Sequence, residues 1–267
     1  MNRCSWLVIA AMVGCSEYEF NDQFEPPGPG EEFPGDDPND GTDETDPDDD
    51  PIEPAEARVY ANTSTALYEV DPATGGHTYI GEFRENGTPV ESFVDIAIDM
   101  EGRVYGGTFD ALYRIDPFTA DVTLICSASH DMTAMTFSAD GELFIGGSYS
   151  IYVMNVEDCT TSPLVTGAIY ETSGDLVGLP DGYLYWTVYG WDGDELVRVH
   201  PESGATTWVG PISERKLYGL GYAEEQLFGF SSEGKIVRIS PLGASSSVMV
   251  DNEELSWWGA TTNPVTW

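Results

Sequence analysis

A fifteen-residue unit recurs five times along the chain and constrains its fold more than any other feature. LYEVDPATGGHTYIG starts at Leu67 and is followed by LYRIDPFTADVTLIC at Leu112, IYVMNVEDCTTSPLV at Ile151, LVRVHPESGATTWVG at Leu196 and IVRISPLGASSSVMV at Ile236. The copies are 45, 39, 45 and 40 residues apart. A second series precedes each copy: RVYAN at Arg58, RVYGG at Arg103, ELFIGG at Glu142, YLYWT at Tyr183 and QLFGF at Gln226. Two series in the same order and at the same pitch establish a repeat, and a period of about 40 to 50 residues belongs to blades or solenoid turns.

Within each unit, short β-branched and aromatic runs alternate with polar residues and are punctuated by Gly, Pro, Asp and Ser, which is the pattern of strands and hairpins. A third series, VDIAID at Val94, TAMTF at Thr133, GDLVGL at Gly174 and LYGLGY at Leu217, supplies a leading strand. Segments such as TYIG and TTWVG supply a fourth. Four-stranded units repeated radially predict an all-β, five-bladed β-propeller. The first unit lacks its leading strand, and WWGATTNPVTW at the C-terminus has no unit to lead. Trp258 to Thr262 are therefore expected to complete the first blade, closing the ring and removing an open edge.

The DPxTG segment has the chemistry of a turn. Asp71, Asp116, Asn155, His200 and Ser240 share one position, and Pro follows in four of the five copies. Such side chains accept from backbone N–H groups two or three residues on, Pro presets φ, and Gly75 or Gly204 accepts a positive φ without a clash. The copies also resemble the repeats of pyrroloquinoline-quinone-type propellers, in which Asp, Thr, Gly and a downstream Trp recur at offsets of three, four and eight. Asp71, Thr74, Gly75 and Tyr79 match those offsets, as do His200, Ser203, Gly204 and Trp208, whereas the third and fifth copies fit poorly. In that family the motif packs blades together and does not bind the quinone. The quinone enzymes have more blades and an adjacent Cys pair that this chain lacks, so no cofactor is expected. Non-enzymatic relatives, the YVTN-type surface propellers and an outer-membrane assembly lipoprotein, resemble it more closely.

The N-terminus reads as an address. In MNRCSWLVIAAMVGC one Arg precedes an apolar run from Trp6 to Val13, which is too short to span a bilayer and has the form of a secretory signal over residues 1–14. The ending MVGC resembles the lipobox of bacterial lipoproteins, with Met12 where Leu is usual, and implies lipidation of Cys15; Ser16 in place of Asp implies passage to the outer membrane. Ordinary cleavage to a soluble secreted protein is the alternative. Residues 16–56 hold 17 Asp and Glu, 8 Pro and no Lys or Arg, the composition of a disordered acidic tether. The domain, residues 57–267, retains 30 acids against 9 bases, a net charge of −21. Nucleic acid is excluded as a partner by this charge and by the lack of any basic cluster beyond Arg215 and Lys216.

Candidate chemistry is sparse. Cys126 and Cys159 can pair in an oxidising compartment, but their places, near the end of a fourth strand and in a turn of the next blade, point to opposite faces and weigh against a bridge. His77, His130 and His200 occupy nonequivalent repeat positions and indicate no metal site. WDGDE at Trp191 has spaced carboxylates but lacks the rest of a hand-type calcium loop and reads as an acidic turn. Alignment of the leading strands brings Asp95, Ala134, Asp175, Tyr218 and Trp258 to one position at the channel mouth. Two carboxylates and two aromatics there can stack a sugar, or can simply cap turns and fill the ring's taper. The leading expectation is a non-enzymatic, surface-tethered propeller that recognises a protein or glycan. The alternative is a glycan hydrolase with Asp95 and Asp175 as acid and base, by resemblance to five-bladed polysaccharide-cutting propellers.

Overall fold

Alternation with a period of two gives every strand two working faces, and in this chain both faces are apolar along the inner strands. The inner strands therefore need a neighbour on each side. In the computed structural model, which describes residues 55–56 and 58–267, five four-stranded antiparallel sheets meet that need by standing around a common axis. The signal segment, Cys15 and nearly all of the acidic segment lie outside the described residues. Ala55, two residues before the expected domain start, is already buried, and its backbone N–H donates to Gly102 O at 2.8 Å.

The first blade is built from Gly259–Thr262, Val59–Asn62, Ala66–Val70 and His77–Glu82, from the axis outwards. The innermost strand comes from the C-terminus and pairs with the first strand of the domain, Val59 opposite Thr262 and Asn62 opposite Gly259, so the expected closure is present. The second blade comprises Asp95–Ile98, Val104–Gly107, Ala111–Ile115 and Val122–Ser127; the third, Ala134–Phe137, Leu143–Gly147, Ser150–Met154 and Thr161–Val165. The fourth comprises Thr172–Gly178, Leu184–Tyr189, Asp194–Val199 and Thr206–Pro211; the fifth, Leu217–Ala223, Gln226–Ser231, Lys235–Ile239 and Ser246–Asp251. Each innermost strand packs against the innermost strands of both neighbouring blades, which closes the circle.

The core is correspondingly divided. Five apolar clusters fill the five seams between neighbouring blades. Between blades 1 and 2, for example, Tyr60 and Leu67 meet Ile96, Ile98, Val104 and Ile115. Burying one such aliphatic side chain contributes about 1.5–3 kcal/mol, so each seam is a substantial fraction of the total stability.

Two local devices recur in every blade. The first is a β-bulge in the outermost pair, which leaves Ile80, Ile125, Leu164, Val209 and Met249 without a partner in the register. All five are apolar and pack against a seam cluster. A bulge bends its strand and increases the local twist, here turning a residue inward that strict alternation would leave unburied. The second is the DPxTG turn. Asp71 accepts from Ala73 N at 2.9 Å and from the Thr74 hydroxyl at 2.6 Å, Asp116 accepts from Phe118 N at 2.8 Å, and Asn155 accepts from Glu157 N at 2.8 Å. The left-handed position of this turn has φ of 74° at Gly75, 63° at Ala120, 55° at Cys159, 67° at Gly204 and 57° at Ala244. Three copies thus accept a non-glycine residue where the conformation costs roughly 1–2 kcal/mol.

The reason lies at the seams. Each left-handed residue faces the outermost strand of the preceding blade, and the two sizes are matched. A Cβ at Gly81 would come within 3.2 Å of the Ala120 Cβ, one at Gly210 within 3.2 Å of the Ala244 Cβ, one at Gly204 within 3.1 Å of Val165 and one at Gly75 within 2.7 Å of Val250. At the remaining seam the equivalent pair is Cys126 and Cys159. They form a disulfide, with Cα atoms 5.8 Å apart, which corrects the expectation that they face opposite ways. That expectation treated strand end and turn as opposite poles of the blade. The outermost strand instead lies across the turn of the next blade, as the bridge between Arg84 and Asp121 also shows at the first seam.

Candidate functional site

The ring has two unlike ends. One carries the tight hairpin turns, including all five DPxTG segments. The other carries the connections between blades and the turns between second and third strands, where the copies differ in length and sequence. The axis opens on this second end into a pit of about 290 Å³ to which all five blades contribute.

Below the pit the axis is closed. The aligned position on the five innermost strands is occupied by Asp95, Ala134, Asp175, Gly219 and Gly259, as the pairing register shows. Two acids, one Ala and two Gly leave room for two carboxyls and nothing larger. A Cβ added at Gly259 would collide with Asp95 Oδ1. Asp95 and Asp175 are completely buried and hydrogen-bonded to one another. Each also accepts two backbone N–H groups: Asp95 from Ile96 of its own strand and Met135 of blade 3, Asp175 from Leu176 of its own strand and Leu220 of blade 5. The pair therefore ties four of the five blades together. Burial holds both carboxyls above the ordinary carboxylate range, and at Asp95 the neighbouring Asp175 adds to it. One proton between two acids is the arrangement such a site enforces.

Of the five residues aligned at the channel mouth, Asp95, Ala134 and Asp175 thus sit beneath the pit floor, sealed from solvent, and only Tyr218 and Trp258 line the pit itself. Tyr218 and Trp258 precede the axial position by one residue. In blade 5 the register shifts between Leu217 and Gly219, which places Tyr218 outside the strand alternation and explains the slip. As the acid and base of a hydrolase, Asp95 and Asp175 have no route to a substrate here.

The walls of the pit come from residues the repeat alignment does not single out: Phe109, Asp131, Glu171 and Tyr189. Phe109, Asp131 and Glu171 lie in turns and connections where the copies diverge, and Tyr189 ends the second strand of blade 4. A search for exposed aromatics at non-repeating positions is the signal that finds Phe109 and Tyr189, about half exposed each. Tyr189 and Tyr218 are hydrogen-bonded through their side chains, and burial raises the Tyr189 phenol above its ordinary value. Glu171 accepts from the Tyr149 hydroxyl at 2.8 Å, and its carbonyl accepts from Tyr189 N at 2.9 Å. At the floor, Ser173 donates to the buried Asp194 at 2.6 Å, and Leu217 N donates to the same oxygen at 2.8 Å. The Thr172 hydroxyl oxygen beside it is buried without a hydrogen-bond partner.

The other sequence candidates disperse. In WDGDE, Asp194 turns inward to Ser173, Glu195 accepts from the Trp208 indole at 3.0 Å, and Asp192 is exposed, so the three carboxylates diverge. His77 packs edge-on against Tyr68 and Trp257, His130 stacks on Tyr152, and His200 sits in its DPxTG turn beside Tyr183. Among the described residues no group of three or more His, Cys, Asp or Glu could hold a metal ion, and no helix is long and apolar enough to cross a membrane.

Comparison with known proteins places the fold and no more. No family model matches the chain, and no curated protein matches its sequence. Among solved structures it is similar to a chain of a nidogen/laminin complex, with a TM-score of 0.53 at 12% identity, covering 78% of this chain and 98% of that one. A second likeness is to the extracellular domain of a putative one-component system from B. thetaiotaomicron, with a TM-score of 0.43 at 13% identity, covering 75% of this chain and 30% of that one. The chain is a five-bladed β-propeller whose two ends differ in kind, one built of repeated turns and the other of unique loops around an open pit.

Proposed function

We propose that this protein is a lipid-tethered, non-enzymatic recognition propeller that takes its ligand, a glycan or a segment of another protein, at the axial pit. The observation that carries the reading is the convergence of all five blades on one open, aromatic-walled concavity above a sealed axis. Concave sites with apolar walls and a few placed polar groups are where ligands of small and intermediate size bind. Trp191 and Ile169, the first 91% and the second 88% exposed, lie in the loops of the same end. The MVGC lipobox with Cys15, and the acidic tether after it, support attachment to the outer membrane with the propeller held away from the lipid. The resemblance of the DPxTG copies to YVTN-type and quinone-type repeats fits a propeller used as a surface module. The likeness to a chain of a nidogen/laminin complex supports the fold of such a module.

The test pairs anchoring with binding. Expression of the full chain in a Gram-negative host with labelled palmitate should label it, and Cys15→Ser should not be labelled. A glycan array and a pull-down with envelope fractions should yield a ligand that is lost with Trp258→Ala and Tyr189→Ala and kept with substitutions on the hairpin-turn end. Ligand capture unaffected by both pit substitutions would refute the assignment of the site.

A further inference from the structure

We infer that the axial pit selects a ligand bearing an organic cation, an ammonium group; the inference rests on the recognition reading above and names the chemistry of its ligand. Four aromatic side chains, Phe109, Tyr189, Tyr218 and Trp258, line the pit from blades 2, 4, 5 and 1. The ionisable carboxylates in the same wall are Asp131 and Glu171, and no Lys or Arg lines it. The nearest bases are occupied: Lys216, beside Tyr189 and Tyr218, is paired with Glu233 at 2.9 Å, and Arg215 donates to Trp191 O at 3.1 Å. The pit is thus net negative inside a domain that is itself strongly acidic.

Aromatic faces attract cations through the ring quadrupole, by about 0.5–2 kcal/mol each according to exposure, and nearby carboxylates add a longer-range attraction. An anionic ligand would meet the opposite field. The pit is not built for a bare metal ion, because among the described residues no three metal-ligating side chains converge anywhere. Aromatic walls and two carboxylates together describe a site for a cationic head.

Calorimetric titration of the full chain with choline, with its uncharged isostere 3,3-dimethylbutan-1-ol, with tetramethylammonium and with calcium chloride tests this. Choline is expected to bind at least ten-fold more tightly than the neutral isostere, with the preference lost in Glu171→Gln and Asp131→Asn and retained in Tyr189→Phe. Tetramethylammonium, which carries the charge without a hydroxyl, should show the same dependence on Glu171 and Asp131. Equal binding of choline and its neutral isostere would overturn the cation inference and leave recognition at the pit standing. Binding of calcium alone would overturn it in favour of a metal site. No binding of any probe would overturn it as well, and the glycan and pull-down results would then decide the recognition reading separately. Thermal melts of the exposed-site variants, Glu171→Gln and Asp131→Asn, should match the parent and exclude misfolding as the cause of lost binding.

Discussion

The buried pair of acids on the axis should make this propeller lose stability as the pH rises through the neutral range. In the unfolded chain both Asp95 and Asp175 titrate near 3.9. In the fold, burial raises both, Asp175 to about 8, so the pair keeps a proton that the unfolded chain has already released. A group whose folded value is raised contributes stability that is full below the unfolded pKa and is lost as the pH climbs through the folded one. One shared proton therefore removes up to about 1.4 kcal/mol for each pH unit, or on the order of 3 kcal/mol between pH 5 and 7. Asp194, raised by burial, acts in the same direction. Asp71, Asp158 and Glu233, lowered by their hydrogen bonds and, for Glu233, by Lys216, act in the opposite direction, but only as the pH falls below about 4. Urea unfolding followed by tryptophan fluorescence at pH 5, 6, 7 and 8 should show the decline at constant m-value. Asp95→Asn separates the pair from everything else. It removes the Asp95 carboxyl and leaves Asp175 buried beside an amide that can donate to it, so folding takes up fewer protons and the slope should flatten. Because one backbone N–H, that of Ile96 or Met135, loses its acceptor, the variant should also be less stable at pH 5, the lost bond alone costing about 1–3 kcal/mol. A parent protein whose stability is flat from pH 5 to 8, or a variant with the parent's slope, would refute the shared proton.

Two further outcomes test the ring. Removing residues 258–267 deletes the strand that pairs with Val59–Asn62, and the truncated chain should lose its cooperative melt; a truncation that melts like the parent would sink the closure. Replacing Cys126 and Cys159 with Ser opens a cross-link with a sequence separation of 33, which by chain entropy should cost about 3–4 kcal/mol and lower the urea midpoint; an unchanged midpoint in the oxidised parent and the variant would show that the seam holds without it.

The blades were legible because a repeat multiplies evidence: five copies of one strand-turn-strand unit fix number, pitch and closure even where single copies are weak. The seams were legible in principle as well. Gly81 with Ala120, Val165 with Gly204, Gly210 with Ala244 and Val250 with Gly75 show complementary sizes at aligned positions, and Cys126 with Cys159 falls in the same series. Reading each blade in isolation hides this, because the contact runs from one copy to the next. The axial site was half legible. Asp95 and Asp175 stand out as acids in apolar strands, but whether they face solvent depends on the residues opposite, and Gly219 and Gly259 fill that role only once the register shift at Leu217 is known. The pit walls were not legible from the repeat at all, since Asp131 and Glu171 belong to connections whose path is set by tertiary packing and Tyr189 ends a strand where the copies diverge.

The bulge that every blade carries has a consequence for the protein among its own copies. A closed ring of this kind has no free end, yet it still presents five outer strands whose backbone groups face outward, each a template on which another chain could add a strand. Interrupting the register in all five, with Pro163 beside the interruption in the third, shortens every stretch of regular backbone that a neighbour could pair with. The inward-turned residues Ile80, Ile125, Leu164, Val209 and Met249 thus serve two ends at once, completing the seams and keeping neighbouring copies from pairing edge to edge.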